Sequence, residues 1–154
     1  MDWADTPEQA AFREEVRTFL ETRLPAAYKG LQEGEGVGWQ ADRKSSDESR
    51  RNRAMEWANA LAEKGWIAPH WPKEYGGAGL STMEQFIYNQ EMASAQVPSV
   101  GGMGVSLIGP TLIVHGNDEQ KSEHLPKILS GEVAWAQGYS EPGAGSDLAS
   151  LQTR

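Results

Sequence analysis

Gln137-Gly138-Tyr139-Ser140-Glu141-Pro142-Gly143-Ala144-Gly145-Ser146-Asp147 is the stretch on which the reading of this chain turns. Its physical pattern is a strand running into a tight Gly-Ala-Gly turn. Glycine lets backbone N–H groups approach a ligand closely and converge on it. Ser140 closes the strand, where one more N–H and a hydroxyl can point outward. Ser146 adds a hydroxyl at the exit of the turn. Such a place suits a flat polar ring or a phosphate. The competing reading is a Gly-rich turn capped by Asp147, and spacing taken alone favours it.

Upstream of this stretch, Val133 to Ser140 alternates roughly and contains Val, Trp and Tyr, the pattern of a strand. One strand cannot pair with itself, so its edges need partners that these residues do not supply. The sequence therefore reads as truncated, with a helical domain ending near residue 131 and a β region beginning after it.

The helical part is punctuated clearly. Asp5 or Thr6 can cap a first helix, with Pro7 and Glu8 suited to its start. Phe12, Val16, Phe19, Leu20 and Leu24 then mark one face, and Pro25 stops it. Between Ala26 and Ser46 there is no periodicity, and Gly30, Gly34, Gly36 and Gly38 predict a mobile surface loop. A second helix is expected from about Asp47 to Lys64, with Gly65 beyond its end. Trp66 to Gly79 carries two prolines and several glycines among aromatic residues, which predicts a packed loop. Ser81 and Glu84 form a capping box for a third helix that runs to about Gln96. The apolar, small-residue run from Gly101 to His115 is expected to be central. Asn117 caps a short helix through Lys121, and Pro126 is expected to start another that Gly131 ends.

Composition narrows the function. Fourteen Lys and Arg against 22 Asp and Glu give a net charge of −8, which argues against nucleic acid and against a basic membrane-surface patch. With 38% hydrophobic residues and six Trp, the chain is too apolar to be intrinsically disordered. There is no cysteine, so disulfides, thiolate nucleophiles and thiolate zinc sites are excluded. The acidic start, Met1-Asp2-Trp3-Ala4-Asp5, is not a secretory signal, and no apolar run reaches a membrane span. A cytoplasmic protein is expected. His70, His115 and His124 are isolated, so no metal site is expected. Gly102-Met103-Gly104 lacks the third glycine and the preceding strand of a dinucleotide fingerprint, and small-residue helix packing is the better reading. No Gly-x-Ser-x-Gly elbow exists. Arg50, Arg51 and Arg53 read as a solvated face, with a phosphate contact as the alternative.

The letters carry more than the spacing. Ser140 to Asp147, continued by Leu148-Ala149-Ser150-Leu151-Gln152-Thr153-Arg154, closely resembles the flavin-binding signature of acyl-CoA dehydrogenases. The resemblance extends upstream in the family's order. It includes Pro72-Lys73-Glu74-Tyr75-Gly76-Gly77-Ala78-Gly79, then Gly109-Pro110 with His115-Gly116. Asp118-Glu119-Gln120-Lys121 and Leu125-Pro126 with Gly131-Glu132 follow.

The resemblance implies a mainly α fold. Residues 1–131 would be the helical N-terminal domain, and residues 132–154 the opening segment of the middle β domain. It implies FAD as cofactor and α,β-dehydrogenation of an acyl-CoA thioester, with hydride transfer to the flavin. Electron-transferring flavoprotein would be the electron acceptor and a homo- or hetero-oligomer the assembly. Carried over by position, Gln137, Gly138, Tyr139, Ser140, Gly145 and Ser146 would bind the cofactor. Tyr139 and Ser140 would line the flavin ring, and Ser146 would also contact the acyl-CoA. Many relatives have Thr where Ser140 stands, and either hydroxyl can donate. The catalytic base is expected outside this chain, so no carboxylate here takes that role, and Glu141 is read as structural. Two alternatives stay open: a non-catalytic helical partner subunit or assembly module of the same fold, and an oxidase of the same superfamily.

Overall fold

The computed structural model describes residues 4–30, 38–138 and 140–153. Tyr139, Arg154, Gly34, Gly36 and the first three residues lie outside them. Six α-helices are found among the described residues: α1 (Pro7–Arg23), α2 (Trp39–Arg43), α3 (Glu48–Glu63), α4 (Thr82–Ser94), α5 (Gly109–His115) and α6 (Asp118–Leu129). The fold is mainly helical, as the sequence implied.

Helix starts follow the side-chain chemistry. Thr6, not Asp5, caps α1: its hydroxyl accepts from the Gln9 amide, and Gln9 Oε1 accepts from the Thr6 amide. Asp5 is engaged instead by Arg13, 2.6 Å away. The Ser81–Glu84 box caps α4 as expected, and Asn117 with Gln120 forms a third box at α6. The end of α3 is a Schellman motif. Trp66 N–H donates to Leu61 O and Gly65 N–H to Ala62 O, while Gly65 takes the left-handed φ of 68°.

Tryptophans bind the elements together. Trp66 lies between α1 and α4, with its ring 4.7 Å from Phe19 and 5.4 Å from Tyr88. The indoles of Trp39, Trp57 and Trp71 donate to the carbonyls of Ala54, Pro98 and Val105. The first ties α2 to α3 and the other two tie a loop or turn to the core, each satisfying an indole donor. The 66–79 stretch is the packed loop its aromatics predicted, with Trp66, Ile67, Ala68 and Trp71 all buried.

Several expectations need correction. The 26–46 stretch is not a free surface loop over its described parts. Tyr28, Trp39 and Asp42 are buried there, and α2 packs on α3. The basic run is neither a bare solvated face nor an open phosphate site. Arg50 and Arg53 both donate to Asp42, which is fully buried, and Arg51 donates to the carbonyls of Ser45 and Ser46.

The expected break at Pro126 is also absent, because α6 runs through it. Pro126 sits on the exposed face, and the carbonyl it leaves without a donor belongs to exposed Ser122. Leu125 and Ile128, both buried, hold the inner face across that point. The apolar run is less central than its composition suggested. Gly104, Val105 and Gly109 are buried, but Leu107 is 50% and Val114 70% exposed. Its first part, Gly104–Ile108, is a π-helical turn leading into α5.

No ladder forms among the described residues of the 133–140 stretch. The only pairing outside helices among the described residues is an isolated bridge between Glu141 and Ala144. The alternating residues find no second segment to pair with, so the strand pattern is present without a strand.

Candidate functional site

The candidate site grows out of the C-terminal end of α6. Gly131 adopts a φ of 66°, and a Cβ there would stand 2.6 Å from the Trp39 ring. The Val133 amide then donates to Lys127 O. From there to Ser140, no described backbone amide donates a hydrogen bond. Gln137, Gly138 and Ser140 are exposed, and nothing would meet a Cβ on Gly138. This is a row of unused donors on an accessible segment.

The turn that follows is well defined. Glu141 and Ala144 exchange two backbone hydrogen bonds, 2.8 and 3.1 Å long. Pro142 and Gly143 occupy the two central positions, where a fixed φ and an unhindered residue suit a tight turn. Ala144 is buried, while Gly145 and Ser146 are exposed. A Cβ on Gly145 would lie 3.9 Å from the Ser140 hydroxyl, so the turn brings Gly145 against Ser140. Ser140, Gly145 and Ser146 therefore share one end of the segment. Tyr139 lies outside the described residues.

Glu141 holds the segment closed. Its carboxylate accepts from the amides of Gln152 and Thr153, at 2.8 and 2.7 Å, and from the Thr153 hydroxyl. Those donors, the hydroxyl foremost, hold its carboxyl below the usual carboxylate range. A carboxylate engaged in this way is a clasp, which matches its reading as structural. Asp147 accepts from the Ser150 hydroxyl, 2.5 Å away, at the start of the 3₁₀ turn Leu148–Ser150. Its carboxylate makes no capping bond to the backbone amides of that turn, and the Ser146 hydroxyl has no hydrogen-bond partner among the described residues.

A second feature escaped the sequence. A groove of about 550 Å³ lies between the packed loop, α4 and the π-helical turn. Trp66, Ile67, Tyr88, Met92, Val100 and Val105 supply much of its apolar wall. Its residues come from four separate stretches, so no local pattern announces it. Among the described residues, no group of three or more His, Cys, Asp or Glu is placed to hold a metal ion. None of their helices is long and apolar enough to cross a membrane.

Residues 6–132 match the family model described as acyl-CoA dehydrogenase, N-terminal domain. The chain belongs to the acyl-CoA dehydrogenase family. It is similar to acyl-CoA dehydrogenase FadE26 of Mycobacterium tuberculosis, with 38% identity over 152 residues, covering 96% of this chain and 34% of that protein. It is also similar to acyl-CoA dehydrogenase IpdE1 of Mycolicibacterium smegmatis, with 41% identity over 147 residues, covering 95% and 36%. Among solved structures it resembles the ChsE4-ChsE5 complex from M. tuberculosis, with a TM-score of 0.67 and 35% identity over 99% of this chain and 35% of that one. It likewise resembles the structure titled Tcur3481-Tcur3483 steroid ACAD, with a TM-score of 0.67 and 37% identity over 100% and 37%. The chain spans about a third of the length of these acyl-CoA dehydrogenases.

Proposed function

We propose that residues 1–131 and 132–154 are the helical domain and the opening of the middle β domain of a FAD-dependent acyl-CoA dehydrogenase. The observation that carries this reading is the row of unpaired amides and hydroxyls around Gln137, Gly138, Ser140, Gly145 and Ser146. Exposed donors on an open, glycine-bordered segment fit a flat ring whose edge is rich in acceptors. The family resemblance gives that ring as the flavin and adds Tyr139 to the set.

When bound, FAD supplies the acceptor for the hydride that leaves the β carbon of an acyl-CoA thioester. The chain's own residues bind and orient. Backbone N–H groups of Gln137–Ser140 and the Ser140 hydroxyl hold the ring edge. The N–H and hydroxyl of Ser146 meet an oxygen of the acyl-CoA or the flavin. Glu141 keeps the loop closed, and its occupied oxygens leave it unsuited to proton abstraction; the family resemblance implies a base outside this chain. The groove beside α4 offers apolar space for the acyl group. A neighbour titled as a steroid enzyme supports a bulky acyl group there. The partners implied are the acyl-CoA, an electron-transferring flavoprotein and further subunits.

A second reading, a non-catalytic subunit of the same fold, is favoured by the solved neighbours that pair two differently named components. One titration separates the two. The polypeptide that carries this chain is stripped of flavin, titrated with FAD, and then mixed anaerobically with acyl-CoA. The dehydrogenase reading predicts bound flavin that bleaches on adding acyl-CoA. A polypeptide that takes up no FAD contradicts it.

A further inference from the structure

Trp39, Trp57 and Trp71 each give their indole N–H to a carbonyl. Trp135 does not: its Nε1 is buried with no partner. A buried donor left unpaired is unfavourable, so other contacts must hold the ring in place. Those contacts are specific. The His124 ring meets the indole at 5.8 Å and an angle of 85°. A Cβ added at Gly104 would come within 3.0 Å of Trp135 Cδ1 and 2.9 Å of Ile128 Cγ2. The seat therefore exists because residue 104 has no side chain.

The position of Trp135 along the chain gives this seat its consequence. Trp135 lies two residues before Gln137 and five before Ser140. The Val133–Lys127 bond holds the start of the segment, and no described amide from there to Ser140 donates a hydrogen bond. The indole is thus the side-chain anchor between the helical layer and those donors.

We infer that Trp135, seated over Gly104, is a positioning residue that sets the register of the Gln137, Gly138 and Ser140 donors against their ligand. This rests on the proposed function, which makes that ligand the flavin. Trp135 acts through the backbone it anchors, with no contact to the reacting atoms.

The test uses the whole polypeptide that carries this chain, freed of flavin. FAD affinity, the visible spectrum of the bound flavin and the melting temperature are read for each variant. Trp135→Ala should weaken FAD binding by about tenfold or more and move the bound spectrum toward that of free flavin. Trp135→Phe keeps a flat apolar ring while removing the unpaired N–H together with the second ring of the indole. It should restore affinity to within about threefold of wild type. Gly104→Ala keeps the indole but crowds its seat. The atoms it meets are side-chain atoms that can shift, so the variant should fold, yet bind FAD more weakly with a perturbed spectrum. Wild-type FAD affinity and spectrum in both Trp135→Ala and Gly104→Ala would overturn the inference, whatever happens to melting, and leave the proposed function standing. A wild-type polypeptide that takes up no FAD would overturn both.

Discussion

At the scale of single residues, Asp42 is the most exposed to test. It is fully buried, yet it accepts from Tyr28, Arg50 and Arg53 at 2.9, 2.7 and 2.6 Å. Burial alone would push its carboxyl up, but the Arg53, Arg50 and Tyr28 hydrogen bonds outweigh this and bring it down to about 2. A carboxyl lowered on folding stabilises the fold above its unfolded value, and that stabilisation is lost as pH falls toward the folded one. The contribution of Asp42 should therefore be complete above about pH 4 and disappear towards about pH 2. Asp42→Asn should cost about 3 kcal/mol near neutrality, because two guanidinium groups lose their counter-charge. Urea melts of both proteins across that range check it, and the gap should narrow as the solution is acidified.

Ser146 is the residue-scale test of the site. Ser146→Ala removes a hydroxyl without a partner among the described residues and keeps the backbone donor. Loss of one hydrogen bond worth about 0.5–1.5 kcal/mol, or about 1.5–3 with a charged partner, should weaken acyl-CoA binding by roughly 3- to 100-fold. Melting should barely change. A lowered melting temperature with unchanged affinity would reduce Ser146 to a turn residue. The Asp42 cluster was illegible in the sequence, since three arginines near a helix start carry no sign that a carboxylate eight to eleven residues earlier is buried beneath them.

At the scale of elements, the glycine of Gly109-Pro110 has a packing role that the sequence did not show. A Cβ at Gly109 would lie 1.8 Å from the Trp71 ring, so α5 can rest on that indole only if residue 109 has no side chain. Gly109→Ala should unseat Trp71 and strain its bond to Val105 O, 3.0 Å long. Overpacking of this kind costs about 1–3 kcal/mol, and with a hydrogen bond strained as well the upper end is expected, measurable as a lower urea midpoint. What could be read beforehand were the local signals. The Ser81–Glu84 box, the cap residues Thr6 and Asn117 and the Gly65 stop each reside within a few consecutive residues, whereas the reciprocal bonds of Gln9 and Gln120 were not read from the sequence. Element α2 could not be read that way, because five residues hold too little periodicity and Trp39 is buried by contacts with α3. The break expected at Pro126 followed from a local rule, but the inward face of α6, set by Leu125 and Ile128, overrides it.

At the scale of the whole molecule, the helices pack around a shared buried core while the candidate site is only an edge. Residues 137–146 present donors from one side, and holding a ligand costs at least about 4 kcal/mol in lost freedom before net affinity appears. Residues 1–154 alone should therefore bind FAD weakly or not at all, and submicromolar binding in a titration would show a more complete site. The octapeptide from Ser140 to Asp147 revealed the family because it is contiguous, whereas the groove beside α4 is assembled by the fold from distant stretches. The central claim is that the unpaired amides around Gln137–Ser146 meet the flavin. Hydrogen exchange of the whole polypeptide, with and without FAD, measures those amides directly. The account predicts that FAD slows exchange across residues 137–146 and leaves the middle turns of α1 and α3 unchanged. Tight FAD binding with unaltered exchange across 137–146 would contradict it.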